Sequence, residues 1–193
     1  MGAQQELELN RARTALVVID LQKGIVSRKT MPYDPQLVVE NAAKLTDAFR
    51  KNSIHVILVR VVATSEDRLN PISDEKWVAP TEMPSDWAEF PEALKAEEAD
   101  LIITKKQWGA FYGTELDLQL RRRNIDTIVL CGIATNYGVE STARFAYEYG
   151  YQQIFAEDAM SAMSEDAHKA SVDFVFKRIG RVRETDEIVR TLG

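Results

Sequence analysis

Short β-branched runs alternate with helical patterns along the whole of this 193-residue chain. The first run, residues 14–20, is continuous and rich in β-branched residues, which is typical of a strand covered by helices on both faces of a sheet. Strands that alternate with helices predict a parallel sheet with right-handed crossovers. The predicted strands cover residues 14–20, 55–61, 100–104, 127–133, 152–156 and, as a short last strand, 181–183. We therefore predict an α/β fold within a single domain of residues 1–193: a doubly wound, mainly parallel six-stranded sheet in a Rossmann-like three-layer α/β/α arrangement.

Apolar residues at helical spacing predict helices between these strands. The clearest helix begins at Asp34, the expected N-cap, with Pro35 at its first position. Ser164 is a candidate N-cap further along the chain. The predicted helices cover residues 34–51, 114–123, 138–149, 164–177 and 187–192. Residues 63–93 are irregular and contain Trp77 and Trp87, and a connection of that length predicts a lid, a binding loop or a subunit interface.

Composition excludes several classes of protein. A net charge of −6 argues against a nucleic-acid partner, because phosphate binding needs basic patches; the one basic run, residues 121–123, ends a predicted helix and is expected to be solvated. The single cysteine excludes an internal disulfide and a multi-cysteine zinc site. No apolar run approaches the roughly 20 residues that cross a bilayer, and no signal-peptide pattern begins the sequence. We expect a cytoplasmic protein without a membrane partner.

Two charged residues follow predicted strands directly. Asp20 is either a turn-forming residue or a partly buried acid whose pKa is raised, and Lys105 is either a solvated lysine or a charged partner. Both belong to the carboxyl edge of the predicted sheet, where ligands bind near the switch in strand order. An aspartate and a lysine that meet at this edge can hold one another charged and share a proton-handling role.

Three separated motifs resemble those of the isochorismatase-like (cysteine hydrolase) family. Val-Val-Ile-Asp-Leu-Gln, around Asp20, is similar to the family's V-V-I-D-x-Q, and residues 105–114 are similar to its K-x-x-x-[SG]-A-F-x-G-T. Residues 132–143 resemble G-[IV]-A-T-N-x-C-V-E-S-T-A. The resemblance implies a hydrolase in which Asp20 is the acid/base. It also implies Lys105 rather than Lys106 as the site lysine, since Lys105 has the family's spacing to Gly-Ala-Phe.

Gly138 stands where the resemblance places the nucleophilic cysteine. In thiol-dependent members that cysteine attacks an amide carbonyl while the aspartate takes its proton. Glycine supplies no nucleophile, so we do not expect thiol-amidase chemistry. Cys131 lies seven residues earlier in a predicted strand and is expected to be a core residue. The resemblance also implies a cis peptide between Ile133 and Ala134, and both residues are candidates for substrate binding.

The remaining candidates are aromatic residues and histidines. Trp108, Phe111 and Tyr137 flank the expected site, where they either contact substrate or a partner subunit, or pack in the core. His55 and His168 are the two histidines, and neither lies in the Asp-x-His pattern through which some family members bind zinc. We expect no catalytic metal and no cofactor.

The sequence is compatible with two functions. The first is a small-molecule hydrolase that works without a thiol. The isochorismatase branch of the family also carries glycine at this position, and there the aspartate protonates the alkene carbon of a vinyl ether. Asp20 would be that acid, Lys105 would orient the substrate, and Gly138 would leave room for a bulkier ligand or an ordered water. The second is a ligand-binding or scaffold protein that kept the fold. We expect a homodimer or homotetramer in either case.

Overall fold

A computed structural model of the protein describes residues 7–64, 66–67, 69, 71–74, 84–96 and 100–193. Six strands form one sheet in the order β3-β2-β1-β4-β5-β6, and every neighbouring pair is parallel. The strands are β1 (Thr14–Ile19), β2 (His55–Val61), β3 (Leu101–Lys105), β4 (Thr127–Ile133), β5 (Gln152–Ser161) and β6 (Arg181–Arg183). The predicted doubly wound sheet is confirmed, and it is parallel throughout.

The helices lie between the strands and after the last one, and the short helix at residues 23–26 was not predicted from the sequence. They are α1 (Lys23–Val26), α2 (Pro35–Lys51), α3 (Leu116–Arg122), α4 (Glu140–Glu148), α5 (Glu165–Ala170), α6 (Lys177–Ile179) and α7 (Thr185–Arg190). Short 3₁₀ turns occupy Arg11–Arg13 and Glu92–Leu94, and π-helical turns occupy Thr135–Val139 and Ser171–Phe176. None of the helices within the described residues is long and apolar enough to cross a membrane.

Local sequence chemistry explains where the clearest helices begin. The Asp34 carboxylate accepts the N–H of Gln36 at 3.0 Å, so it caps α2 as predicted. The Ser164 hydroxyl accepts the N–H of Ala167 at 3.4 Å in front of α5. The helix predicted over residues 164–177 is interrupted by the second π-helical turn. Apolar spacing did not reveal that turn, because it shifts the helical period by only one residue.

Two hydrophobic cores pack on opposite faces of the sheet, which produces the three layers. Along β1, Ala15, Val17 and Ile19 enter the core beneath α3 and α4. The alternate residues Leu16 and Val18 enter the core beneath α2 and α7. Both faces are therefore buried, which explains the continuous apolar run of this strand. Each large side chain removed from water in this way contributes about 1.5–3 kcal/mol.

The strand order reverses between β1 and β4, and their carboxyl ends lie side by side at this switch point. Gly132, near the end of β4, has a φ of 129°. A Cβ on this residue would lie 2.0 Å from the carbonyl oxygen of Ile19. Only glycine lets the two backbones approach this closely, directly before Asp20.

The irregular stretch 63–93 is described only in part. Trp77 lies outside the described residues, whereas Trp87 is half-buried against α1, where its carbonyl accepts the N–H of Gly24 at 3.0 Å. Lys23 Nζ binds the carboxylates of Asp86 and Glu89 at 3.1 Å and 2.8 Å. Residues 84–89 are therefore attached to the chain just after Asp20, and the role of this stretch as a lid or an interface stays a prediction.

Candidate active site

Asp20 is the first residue after β1 and has a left-handed backbone, with φ of 55°. Aspartate tolerates this conformation better than most residues. Its N–H donates to the carbonyl of Val59 at 2.9 Å, which continues the hydrogen bonding of β1 with β2. The residue is only 6% exposed. The end of the strand therefore directs a carboxyl group into largely buried surroundings at the switch point.

Lys105 is the last residue of β3, and its side chain is 1% exposed. Its Nζ donates to Asp20 Oδ2 at 2.7 Å, to the carbonyl of Gln107 at 3.0 Å and to that of Trp108 at 2.8 Å. These three bonds use all three N–H groups of an ammonium ion. Lys106 instead forms an ion pair with Asp67 at the surface. The structure thus places Lys105, and not Lys106, beside Asp20.

Burial raises the pKa of Asp20 from 3.8 to about 6, although the charge and hydrogen bond of Lys105 act in the opposite direction. Oδ2 accepts the bond from Lys105, while Oδ1 is buried and has no hydrogen-bond partner among the described residues. A carboxyl group with one oxygen held and the other without a partner, and with a pKa near neutrality, is suited to take up or deliver a proton.

Gly138 lies against the same carboxylate. A Cβ on Gly138 would stand 2.9 Å from Asp20 Oδ2 and 3.1 Å from Ile19 Cγ2, so a side chain here would displace the carboxylate. The Thr142 hydroxyl donates to the Gly138 carbonyl at 2.7 Å and accepts the N–H of Ala110 at 3.1 Å. Thr142 therefore ties the Gly138 turn to the loop that follows Lys105.

The turn before Gly138 contains the cis peptide bond Ile133-Ala134 that the resemblance implied. Ile133 is buried, and Ala134 is partly exposed. The Ala134 carbonyl accepts the N–H groups of Tyr137 and Val139, both at 3.2 Å. The turn thus begins three residues earlier than the helix predicted from residue 138. Substrate binding by Ile133 and Ala134 stays a prediction.

The flanking aromatic residues divide into two groups. Trp108 and Tyr137 are 63% and 43% exposed, and their ring centroids lie 4.8 Å apart. This pair stands beside the site, because the Trp108 carbonyl binds Lys105 and Tyr137 precedes Gly138. Phe111 is 4% exposed and packs against Tyr149 and Tyr151. Of the two alternatives for Phe111, the structure favours core packing.

Two polar residues near the site were not singled out from the sequence as site residues. Gln22 Nε2 donates to the carbonyl of Val61 at 3.1 Å, and its Oε1 accepts the N–H of Val61 at 2.8 Å. His168 is buried between Thr135 and Glu157. A histidine inside an amphipathic helix carries no local signal for such a contact. Gln22 could have been found from its place in V-V-I-D-x-Q.

Among the described residues, no group of three or more His, Cys, Asp or Glu side chains could hold a metal ion.

The sequence pattern of the isochorismatase domain matches residues 14–187, which contain every site residue described above. The chain belongs to the isochorismatase family. The isochorismatase family protein YwoC of Bacillus subtilis is 53% identical over 186 residues, covering 95% of this chain and 96% of YwoC. The family protein YecD of Escherichia coli O157:H7 is 50% identical and covers 96% and 100%.

Solved structures of the isochorismatase family have the same fold. A family protein from Burkholderia thailandensis superimposes with a TM-score of 0.90 at 41% identity, covering 96% of this chain and 97% of that one. Other similar proteins are named for hydrolysis. The N-carbamoylsarcosine amidase of Thermoplasma acidophilum has a TM-score of 0.73 at 25% identity, covering 90% and 97%. The ureidoacrylate amidohydrolase RutB of Variovorax paradoxus is 37% identical over 101 residues, covering 52% of this chain and 40% of RutB. The fold is thus that of a hydrolase family.

Replacing Asp20 by asparagine should reveal whether its carboxyl is easily protonated. The folded pKa near 6 exceeds the ordinary 3.8, so the stabilisation from the protonated form is complete below about pH 4 and is lost as the pH rises through about 6. Asparagine does not ionise. We expect the free energy of unfolding of Asp20→Asn, minus that of the wild type, to rise by up to about 3 kcal/mol between about pH 4 and about pH 8. Urea unfolding measures both values.

Asp126→Asn is the matched control. Burial raises the pKa of Asp126, but hydrogen bonds from Arg13 and Thr127 outweigh it and the net pKa is lowered. Its stabilisation is therefore present at neutral pH and is lost in acid, so the difference for Asp126→Asn should fall as the pH rises. If Asp20→Asn behaves like Asp126→Asn, the Asp20 carboxylate is a permanently ionised structural partner of Lys105.

Cys131 should react slowly with alkylating reagents. The residue is fully buried in β4, and burial raises the pKa of its thiol well above the usual range. Thiols without a thiolate form are poor nucleophiles. We expect iodoacetamide to modify the native protein at least about 100-fold more slowly than the urea-unfolded chain. Native labelling at the rate of the unfolded chain, with matching loss of any activity, would restore a thiol mechanism.

Proposed function

We propose that this isochorismatase-family protein is a small-molecule hydrolase that acts without a cysteine nucleophile. The observation that carries the proposal is the buried carboxyl of Asp20, which lies directly against the backbone of Gly138. Lys105 binds one of its oxygens, and the other has no hydrogen-bond partner in the part of the chain that the structure describes. The likeness to proteins named as an amidase and an amidohydrolase supports hydrolysis as the reaction class. The resemblance to the isochorismatase branch supports vinyl ethers as the substrate class.

In this mechanism Asp20 is the general acid. A carboxyl with a pKa near 6 is protonated in about one molecule in ten at pH 7, which is enough for proton transfer to compete. Asp20 donates its proton to the terminal alkene carbon of a vinyl ether, and the ether oxygen stabilises the resulting cation. Water then adds to the cationic carbon and returns a proton to the carboxylate. The hemiketal formed in this way collapses to an alcohol and a ketone.

Lys105 acts mainly through Asp20. Its ammonium group already donates to Asp20 and to the carbonyls of Gln107 and Trp108, so each N–H is engaged. The sequence predicted that Lys105 orients the substrate. In the present geometry this role would require one of the two carbonyls to be released. We therefore assign Lys105 the tasks of fixing the carboxyl and stabilising the carboxylate that remains after proton transfer.

Gly138 is assigned the position of the family's cysteine, on the motif resemblance alone. A thiol-bearing residue at 138 would place its Cβ 2.9 Å from Asp20 Oδ2 and push the carboxyl aside. Glycine avoids this clash and so preserves the contact between Asp20 and Lys105; the close packing around Gly138 does not show the room for a bulkier ligand that the sequence suggested. The exposed pair Trp108 and Tyr137 lies beside the site and is the proposed contact for an apolar or planar part of the substrate.

A ligand-binding or scaffold function is the second candidate, and one observation favours it. The fully bonded Lys105 and its contact with Asp20 also satisfy the description of a structural ion pair, which would hold β1 and β3 together without chemistry. The two candidates differ in what they expect of turnover. The assembly as a homodimer or homotetramer and the single domain of residues 1–193 belong to both proposals, and sedimentation of the purified chain tests the former.

Asp20→Asn should abolish hydrolysis and spare binding. We expect a screen of vinyl ethers, amides and ureido compounds to identify a substrate, and the variant to lose about 10²–10⁴-fold in kcat, because general acid catalysis has this magnitude. The amide keeps the shape of the carboxyl, so ligand affinity should stay within about tenfold. In the wild type, kcat/KM should fall about tenfold for each pH unit above about 6. No turnover by the wild type on any of these compounds, with binding retained, would favour the second candidate.

Gly138→Cys, with Gly138→Ala as its matched control, tests the assignment of this position. Both variants add a Cβ that displaces the Asp20 carboxyl, so both should lose the vinyl-ether activity. Only the cysteine adds a thiol next to a carboxylate that can take its proton. We expect slow amide hydrolysis and rapid alkylation in Gly138→Cys alone. Equal behaviour of the two variants on amides would contradict the idea that residue 138 is the nucleophile position.

A further inference from the structure

A chain of four hydrogen-bonded side chains runs beside the site without touching Asp20 or Lys105. Tyr33 Oη donates to Glu157 Oε2 at 2.8 Å, and Glu157 Oε1 lies 2.8 Å from His168 Nε2. His168 Nδ1 lies 2.9 Å from Thr135 Oγ1. The His168 side chain is 1% exposed and Thr135 is fully buried. The chain thus joins the loop before α2, the middle of β5, helix α5 and the turn after the cis peptide.

The direction of these bonds follows from the chemistry of Glu157. Burial raises the pKa of Glu157, but the hydrogen bonds from His168 and Tyr33 outweigh it and the net pKa is lowered. An ionised carboxylate only accepts, so Nε2 of His168 must carry a hydrogen. The Thr135 hydroxyl then donates to Nδ1 of a neutral imidazole, or accepts from Nδ1 of a protonated one. Glu157 therefore keeps a hydrogen on Nε2 of His168 and leaves Nδ1 for the bond with Thr135.

Thr135 is the first residue of the π-helical turn that brings Gly138 against Asp20. The same turn is held from inside by the Ala134 carbonyl, which accepts from Tyr137 and Val139. The bond between Thr135 and His168 connects this turn to a different element, α5. A second tie lies one turn away, where the Ser171 hydroxyl donates to Glu140 Oε2 at 2.6 Å. Helix α5 and its continuation therefore hold the start of α4 and the turn before it.

We propose that His168 is a positioning residue: by linking Glu157 to Thr135 it fixes the Thr135–Val139 turn over the carboxyl of Asp20 and limits the access of bulk water to that carboxyl. Its reach to the site is indirect, through Thr135 and the backbone of Gly138. The activity part of the test rests on the proposed hydrolase function. The spectroscopic part does not.

Two substitutions of His168 separate its two bonds. The amide of asparagine can take the place of Nδ1, and that of glutamine can take the place of Nε2. His168→Asn should therefore keep the bond to Thr135, and His168→Gln should keep only the bond to Glu157. His55→Gln is the matched control, because His55 is exposed at the opposite end of β2. Thr135→Val removes the bond between Thr135 and His168 at its other end, and it replaces His168→Gln in the test if that variant does not fold.

The experiment measures the pKa of Asp20 in each folded variant by carbon-13 NMR of its carboxyl group. Loss of the Thr135 bond should admit water and lower this pKa from about 6 toward its ordinary value by about one unit. We expect this shift in His168→Gln and in Thr135→Val, no further shift when the two are combined, and little change in His168→Asn or His55→Gln. An unchanged pKa in both His168→Gln and Thr135→Val would overturn the proposal.

Kinetics add a second readout if the protein hydrolyses a compound of the screen. His168→Gln should then lower kcat about tenfold or more with KM little changed, and it should move the pH at which kcat/KM declines together with the pKa of Asp20. A variant that lowers kcat without moving that pH would contradict positioning of the carboxyl. Absence of turnover in the wild type would instead contradict the proposed function, and the NMR result would still decide the role of His168.

Discussion

The contact between the Lys105 ammonium and the Asp20 carboxyl is the interaction on which the rest of the site depends. Both side chains are almost wholly buried, with 1% and 8% of their surfaces exposed. Taking charges out of water is expensive, and removal of one partner leaves the other uncompensated at a penalty of about 3–5 kcal/mol. The two carbonyls that complete the bonding of Lys105 reduce this penalty. The penalty is not removed completely: the pKa of Asp20 stays raised, because burial outweighs the attraction of Lys105.

The topology of the sheet makes this contact possible. Strands β1 and β3 are not neighbours, since β2 lies between them, and yet the residues that end them meet above the sheet. On the other side of β1, the close approach of β4 at Gly132 brings the turn with the cis peptide next to Asp20. Four parallel strands thus end at one place, which agrees with the rule that ligands of such sheets bind at the switch in strand order.

A buried acid and its lysine can serve either a reaction or the stability of the fold. The bonding of Lys105 is compatible with both, because a fully bonded ammonium stabilises a carboxylate whether or not a proton is ever transferred. The Oδ1 oxygen of Asp20, which has no hydrogen-bond partner among the described residues, is compatible mainly with a reaction. The tie from His168 to Thr135 belongs to the same argument, since a turn that must exclude water needs support from a second element.

The sequence by itself determined the fold class and the main candidates. Short, largely apolar runs between helical patterns identify buried parallel strands, and the charged residues placed after such runs, Asp20 and Lys105, belong to the edge where ligands bind. Motif spacing separated Lys105 from Lys106.

Only the tertiary structure decided which groups are in contact. Whether Phe111 faces the core or a ligand, whether Lys105 has a free N–H, and whether His168 reaches Thr135 depend on packing between elements distant along the chain. A pattern of neighbouring residues does not predict that packing, because the distances between such side chains depend on how whole helices lie on the sheet.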